Sequence, residues 1–369
     1  MKVALVHDYI KEYGGAERVL ETLHELYPDA DVFTSVYLPR FLGPHRARFK
    51  NWNIKTSWFQ YVPFNYKLLS PFRLLSAWTF AQFDFSSYDV VIVSSTGAYF
   101  PNALNKGKAV HICYCHTPPR YLYGYATARD WKKHKAVAIL ASIANHFLRM
   151  VDFHAAQNVD YYIANSKEVA ERIKKFYRRD STVIYPPVTS AGQGSKHARK
   201  EEYFLTGGRL ARAKHVDIIV RACSELGVPL KVFGQSFAGY GEELRALAGE
   251  TVSFVGEVSD ADKRELMEGA KAFLFASEDE DFGIVPVEAM AAGTPVIAHR
   301  SGGVKETIVE GKTGVFFEKL SVGSLKEGIK RFEKLKIKPE DCRKQAEKFS
   351  KEKFMKEIKK FLEHRIASN

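Results

Sequence analysis

The segment Phe204-Leu-Thr-Gly-Gly-Arg-Leu-Ala-Arg-Ala-Lys214 runs from a short β-like stretch through paired glycines to two cations, Arg209 and Lys214. An arginine fork and a compact ammonium at a helix start suit the oxygens of a diphosphate and would neutralise it as it leaves. Two cations that merely solvate a helix start are the alternative, and Arg212 is expected as a surface charge. A second segment, Phe275 to Gly293 (FASEDEDFGIVPVEAMAAG), ends a strand, crosses an acidic loop and enters a helix with Pro286 in its first turn. A helix beginning near Gly283 or Ile284 aims its free amides and positive dipole end at a ligand, a seat for phosphate. Glu280 and Glu288, with seven residues between them, are placed to accept hydrogen bonds from hydroxyls such as a sugar supplies. The same spacing also fits a solvated loop acid and a complement to the helix dipole.

In the amino-terminal half, His7-Asp8-Tyr9 ends the first strand and Gly14-Gly15-Ala16-Glu17 opens the first helix. Paired glycines allow close backbone approach to a ligand and serve a tight turn equally well. His116 follows the strand HICYC in the stiff run His116-Thr-Pro-Pro-Arg-Tyr121 and is either a ligand contact or structural. Other chemistries find little support. Gly311-Lys312-Thr313 has Glu306 where a phosphate-binding loop needs glycine, and Gly239-Tyr-Gly241 has Leu244 where a dinucleotide fingerprint needs glycine or alanine. No Gly-x-Ser-x-Gly or His-Glu-x-x-His motif occurs.

These residues need elements to hold them. Short apolar runs alternate with amphipathic stretches along the whole chain, a βαβ rhythm that implies parallel sheets flanked by helices. The rhythm breaks at Tyr185-Pro186-Pro187 and the polar run TSAGQGSKHARKEE, which has linker composition. The reading is two doubly wound α/β domains meeting near 186–202. That agrees with a length of 369 residues, more than one core usually supports. Ligands of such sheets bind outside the carboxyl ends of the strands, so strand ends that face each other would form a cleft.

Fifty-five Lys and Arg against 43 Asp and Glu give a net charge of +12 and favour an anionic partner. The amino-terminal apolar run, Val3–Val6, is shorter than a signal-peptide core, and the 13 residues Ala136–Leu148 are too few for a spanning helix. Cys113, Cys115, Cys223 and Cys342 have no metal-ligand spacing and are expected as ordinary thiols in a reducing cytoplasm.

Taken together, Gly14-Gly15-Ala-Glu, His116, Asn165-Ser166, Arg209 with Lys214, Glu280-x7-Glu288 around Asp-Phe-Gly, and Ser301-Gly-Gly-Val-Lys-Glu306 with Gly311-Lys-Thr-Gly314 resemble the family 4 glycosyltransferases of the GT-B fold. CHTPPRYLY and EDFGIVPVEA resemble most the branch that uses GDP-mannose in surface-polysaccharide assembly. The resemblance implies two Rossmann-like domains facing across a cleft: 1–186 on the acceptor side, 187–349 binding the nucleotide sugar, and a tail helix within 350–369 returning to the first domain. It implies retaining, metal-independent hexosyl transfer, with no cofactor beyond the donor. Arg209 and Lys214 would hold the diphosphate, with Gly208 in the same loop. Glu280 would bind sugar hydroxyls and Glu288 the ribose, while Phe282, Gly283, Ile284 and Val285 would supply amides. Gly256 and Val258 would flank the base, Gly14 and Gly15 would approach the donor, and His116 would contact the donor sugar. Asp281 and His215 stand where the family more often has glycine.

From Val32 to Phe83 there is no Asp or Glu, yet seven Lys or Arg and fourteen aromatics. This stretch, about 37–83 as an insert, suits an anionic membrane surface or a lipid-diphosphate acceptor through Arg46, Arg48, Lys50, Trp52 and Trp58. It also suits a packed helical insert with a basic face, or single-stranded nucleic acid by stacking. The expected partners are a nucleotide sugar, a glycan or lipid-linked acceptor and an anionic membrane surface, not nucleic acid. The expected location is cytoplasmic, on the inner face of the plasma membrane. The alternatives are a UDP-sugar-dependent GT-B enzyme and, from a different class, a basic nucleic-acid-binding protein.

Overall fold

The computed structural model describes residues 1–126, 135–188 and 202–366, so most of the polar run after Pro187 lies outside the described residues. The chain forms two compact units. One comprises the first 187 residues, apart from a short stretch after Tyr125, together with the terminal helix; the other runs from Val188 to Lys351.

The amino-terminal unit carries a seven-stranded sheet: β1 (Val3–His7), β2 (Asp31–Thr34), β3 (Ile54–Thr56), β4 (Val90–Ser95), β5 (Val110–Cys115), β6 (Tyr161–Ala164) and β7 (Ser181–Val183). The order is β3-β2-β1-β4-β5-β6-β7, every pair parallel. All five residues of β1 and all six of β4 are buried, as strands covered on both faces must be, and this is why they read as unbroken apolar runs. β3 and β7 escape that signal: each has three residues, none fully buried. Helix Lys351–Ile366 buries Phe354, Ile358, Phe361 and Leu362 in one cluster with Val3, Leu5, Ile112 and Tyr114.

The carboxyl-terminal unit has six parallel strands: β8 (Phe204–Gly207), β9 (Leu230–Phe233), β10 (Val252–Gly256), β11 (Ala272–Phe275), β12 (Val296–His299) and β13 (Gly314–Phe317). Their order is β10-β9-β8-β11-β12-β13. Chain order reverses direction between β1 and β4 in one sheet and between β8 and β11 in the other. At such a switch point the connections leave to opposite faces and open a crevice at the strand ends. The residues singled out in the sequence lie largely on the loops that leave these strands and their neighbours.

The insert is not a regular helical element. Pro39 and Pro71 each start a 3₁₀ turn and Pro44 is the second residue of another, Gly43–Phe49, while β3 and two short helices, Asn65–Leu68 and Ser76–Ala81, interrupt the rest. Its rings fill a core: Phe59, Phe72 and Phe80 are buried with Phe33 and Phe85 of the sheet unit.

Candidate active site

In the carboxyl-terminal unit, β8 ends in Gly207 and Gly208, and the exposed Arg209 follows. A 3₁₀ turn, Arg212–Lys214, then leads through His215, at φ 47°, into helix Val216–Leu226. Lys214 is thereby held at a helix start, where its Nζ forms an ion pair with Glu280 of the loop after β11. Ser277 Oγ donates to the same carboxylate oxygen at 2.6 Å. The carboxylate is mostly shielded, at 14% exposure, so its attraction to the ammonium is screened less than at an open surface.

The acidic loop is braced from below by the Ser301-Gly302-Gly303 turn. Asp279 N donates to Ser301 Oγ at 2.9 Å, and Gly303 N donates to the carbonyl of Glu280 at 2.7 Å. Gly302 has φ +64°, and a Cβ there would lie 2.2 Å from the Glu280 carbonyl oxygen, so only glycine fits. Gly283, at φ +90°, turns the chain into helix Ile284–Ala291, with Phe282 buried before it. The amides of Ile284 and Val285 are among the first four of that helix and have no partner one turn back. Glu288, one turn in, pairs with Lys263 of helix Asp260–Gly269 at 2.9 Å, both side chains being less than a fifth exposed. Gly256 closes β10 at φ +88°; its carbonyl accepts from Gly234 N at 2.7 Å, and the half-buried Val258 follows.

In the amino-terminal unit, His7, Ser94 and His116 stand at or just beyond the ends of β1, β4 and β5. His7 Nδ1 is 3.1 Å from both the carbonyl oxygen and Oγ of Ser94, and that Oγ is 2.9 Å from His116 Nε2. The other His7 nitrogen faces Glu17 Oε1 at 3.5 Å, a Coulombic contact longer than a good hydrogen bond, while Glu17 Oε2 accepts from Gly14 N at 2.8 Å. Burial works against charge on both members of this pair, yet their mutual attraction, with the backbone hydrogen bonds each also makes, prevails: His7 is raised and Glu17 lowered from their ordinary values. Burial draws His116 down to about 3, and it is neutral. Asn165 Nδ2 donates to the His116 carbonyl at 3.0 Å, and Ser166 caps the next helix, so this pair supports the His116 loop. Gly14, at φ −132°, is extended backbone, and a Cβ there would meet only Glu17 Oε2, at 3.4 Å. Gly15 is the first residue of helix Gly15–Leu26.

Residues 13–191 match the family model Glycosyltransferase Family 4, and residues 190–349 the model Glycosyl transferases group 1. The chain is composed of the two domains of a GT-B glycosyltransferase. An uncharacterized glycosyltransferase of Methanocaldococcus jannaschii is 27% identical over 219 residues, 57% of this chain and 61% of that protein. The alpha-1,3/1,6-mannosyltransferase ALG2 of Mus musculus is 26% identical over 267 residues, 63% of this chain and 61% of the relative. The chain thus spans about three fifths of both relatives. Among solved structures, Anabaena HepE in complex with UDP superposes with TM-score 0.73 at 18% identity, covering 99% of this chain and all of that one. Sucrose-phosphate synthase from Thermosynechococcus elongatus superposes with TM-score 0.72 at 18% identity, each chain fully covered. At these identities the solved structures establish the fold.

The five insert residues divide into two groups. Arg46, Lys50 and Trp58 reach solvent. Arg48 is exposed as well but pairs with Glu21 at 3.0 Å and lies over the Tyr13 ring, and Trp52 stacks on His24 with centroids 4.1 Å apart. Those two contacts fasten the insert to helix Gly15–Leu26, with the Arg48 side chain still 37% exposed. The exposed rings lie further on, at Tyr61, Phe64 and Trp78, with Leu74 beside them in sequence. No described helix is long and apolar enough to cross a membrane. Lys263, Ser94 and Glu17 were not singled out as site residues by the sequence reading. Lys263 and Ser94 carry no local signature, and Glu17 was visible only as a neighbour of the paired glycines.

Proposed function

We propose that the chain is a retaining, metal-independent glycosyltransferase that moves a hexose, mannose from GDP-mannose foremost, to a glycan or lipid-linked acceptor in surface-polysaccharide or glycolipid assembly. The observation that carries this reading is the Lys214–Glu280 pair at the β8/β11 switch point. It sets a cation suited to a diphosphate beside a carboxylate suited to sugar hydroxyls, next to the amide-bearing start of helix Ile284–Ala291.

In this mechanism Arg209 and Lys214 hold the diphosphate and stabilise the charge that grows on the leaving phosphate, the largest single contribution in many such reactions. Glu280 accepts hydrogen bonds from the sugar, and its existing contact with Lys214 means that both groups are positioned before the donor arrives. Glu288, oriented by Lys263, accepts from ribose hydroxyls, and Gly256 and Val258 flank the base. His116 is kept as a contact to the sugar. The ALG2 relatives support mannose, and the insert, basic and rich in exposed rings, supports work at the inner face of an anionic membrane.

A UDP-sugar is the second reading, favoured by fold neighbours solved with UDP and UDP-glucose. A thermal-shift panel of GDP-mannose, GDP, UDP-glucose, UDP-N-acetylglucosamine and UDP separates the two. A ligand that binds only the folded chain raises its melting temperature with occupancy. GDP-mannose and GDP are expected to stabilise the protein most, and stabilisation by uridine nucleotides alone selects the second reading.

A further inference from the structure

We propose that a buried chain, an ion pair from Glu17 to His7 followed by hydrogen bonds from His7 through Ser94, fixes His116 as the tautomer protonated on Nδ1, so that this side chain presents an N–H donor rather than a lone pair to a ligand. The Glu17 carboxylate takes the Gly14 amide on one oxygen and faces His7 Nε2 with the other. His7 is wholly buried, and the charged groups facing it are Glu17 and the adjacent Asp8, both acidic, with neutral His116 beyond. A cation is favoured there. A backbone carbonyl can only accept, so His7 Nδ1, 3.1 Å from the Ser94 carbonyl oxygen, carries a proton and is a donor toward the Ser94 carbonyl and hydroxyl oxygens.

The hydroxyl of Ser94 then has its own single proton to place. Ser94 is completely buried, and among the described residues the one remaining partner of its Oγ is His116 Nε2, at 2.9 Å. If Nε2 carried a proton, the serine oxygen would stand between two N–H donors and its own proton would be stranded in a closed site, an arrangement folded proteins avoid. Nε2 therefore accepts, and a neutral imidazole that accepts on Nε2 has its proton on Nδ1. No described residue hydrogen-bonds that Nδ1. The proton direction runs from His7 through Ser94 to His116, across three strand ends of one sheet, with Glu17 as the anion that sets it. In this arrangement Ser94, His7 and Glu17 are positioning residues, and His116 is the group that meets the ligand. The bearing of the chain on sugar transfer rests on the reading of His116 as a sugar contact.

The test is nitrogen-15 NMR of the full chain labelled at histidine, without ligand, at pH 7, with His116 assigned by its loss in His116→Gln. The wild type is expected to show an imine-type Nε2 and a pyrrole-type Nδ1 at His116, and two pyrrole-type nitrogens at His7. Ser94→Ala is expected to move His116 toward the other tautomer and Ser94→Thr, which keeps the hydroxyl, to restore it. In Glu17→Gln, His7 is expected to lose its charge. A wild-type His116 protonated on Nε2, a tautomer unchanged in Ser94→Ala, or a neutral His7 in the wild type would each overturn the chain. Turnover separates this from the functional reading: Ser94→Ala is expected to lower kcat about tenfold with KM little changed. A tautomer that moves while kcat stays level upholds the chain and counts against His116 as a sugar contact.

Discussion

Lys214 and Glu280, 66 residues apart in sequence, form an ion pair at the point where the strand order of the carboxyl-terminal sheet reverses. The two were read from separate motifs, one as a diphosphate cation and one as a sugar-binding acid. Their contact means that neither acts alone. Removing the lysine takes a counter-charge from a shielded carboxylate, beside the place assigned to a doubly charged leaving group. Lys214→Ala is therefore expected to lower kcat by about a hundredfold or more, and Glu280→Gln by less. The double variant is expected to fall well short of the product of the single effects, because the pair works as a unit. Steady-state rates of the three variants check this, and fully multiplicative losses would contradict it.

Gly302 is the second place where geometry dictates an outcome. Its positive φ and the 2.2 Å separation that a Cβ would have from the Glu280 carbonyl leave no room for alanine. Gly302→Ala is expected to destabilise the chain by about 1–3 kcal/mol and to lower turnover as the acidic loop is displaced. Urea denaturation and donor turnover together measure it. An alanine variant with native stability would show that the loop under Glu280 is not rigid.

Asp152 gives a pH dependence with a definite sign. It is buried, and burial raises its carboxyl to about 7 despite the hydroxyls of Tyr123 and Tyr177, which donate to it at 2.8 and 3.2 Å and favour the charged form. Between its unfolded value near 4 and its folded value near 7 the folded chain binds the extra proton, so stability falls as pH rises through that window. The loss attributable to this group is on the order of 4 kcal/mol. Asp152→Asn, which stays neutral, is expected to match the wild type near pH 4 and exceed it at pH 8. Unfolding curves that run parallel for the two proteins would rule this out.

The insert leads to a prediction about surfaces. Arg48 and Trp52 contact Glu21 and His24 of the first helix, and the most exposed rings of the insert are Tyr61, Phe64 and Trp78, at 82%, 68% and 66%. If the chain docks on anionic vesicles, the rings that enter the interface are these three. Replacing them together by serine is expected to weaken vesicle binding about tenfold or more. Arg46→Gln with Lys50→Gln is expected to reduce mainly the salt-sensitive share. Co-sedimentation with phosphatidylglycerol-containing vesicles reads both, and equal binding by the ring variant and wild type would remove the proposal.

Much of this was legible in the sequence wherever a strand end, a glycine and a charged residue fall within a few positions. β11 running into Glu280 and Gly283, and β8 into Gly208, Arg209 and Lys214, are such cases, because local sequence sets both the element and the group at its tip. What was not legible depends on register between distant segments. Lys263 reaches Glu288 from a helix whose sequence shows only a capping box, and Ser94 sits between two histidines only because β4 lies between β1 and β5. The three-residue strands β3 and β7 lack an apolar run, and in the insert the prolines and buried rings overrode a helical reading.

The central claim, hexosyl transfer from a nucleotide sugar, is tested most directly by the slow hydrolysis that such enzymes allow when no acceptor is present, followed by proton NMR. Release of GDP from GDP-mannose is expected, with the α-anomer of mannose appearing first. This release is expected to be lost in Lys214→Ala. No nucleoside diphosphate released from GDP-mannose or from any UDP-sugar by the folded chain would contradict the central claim.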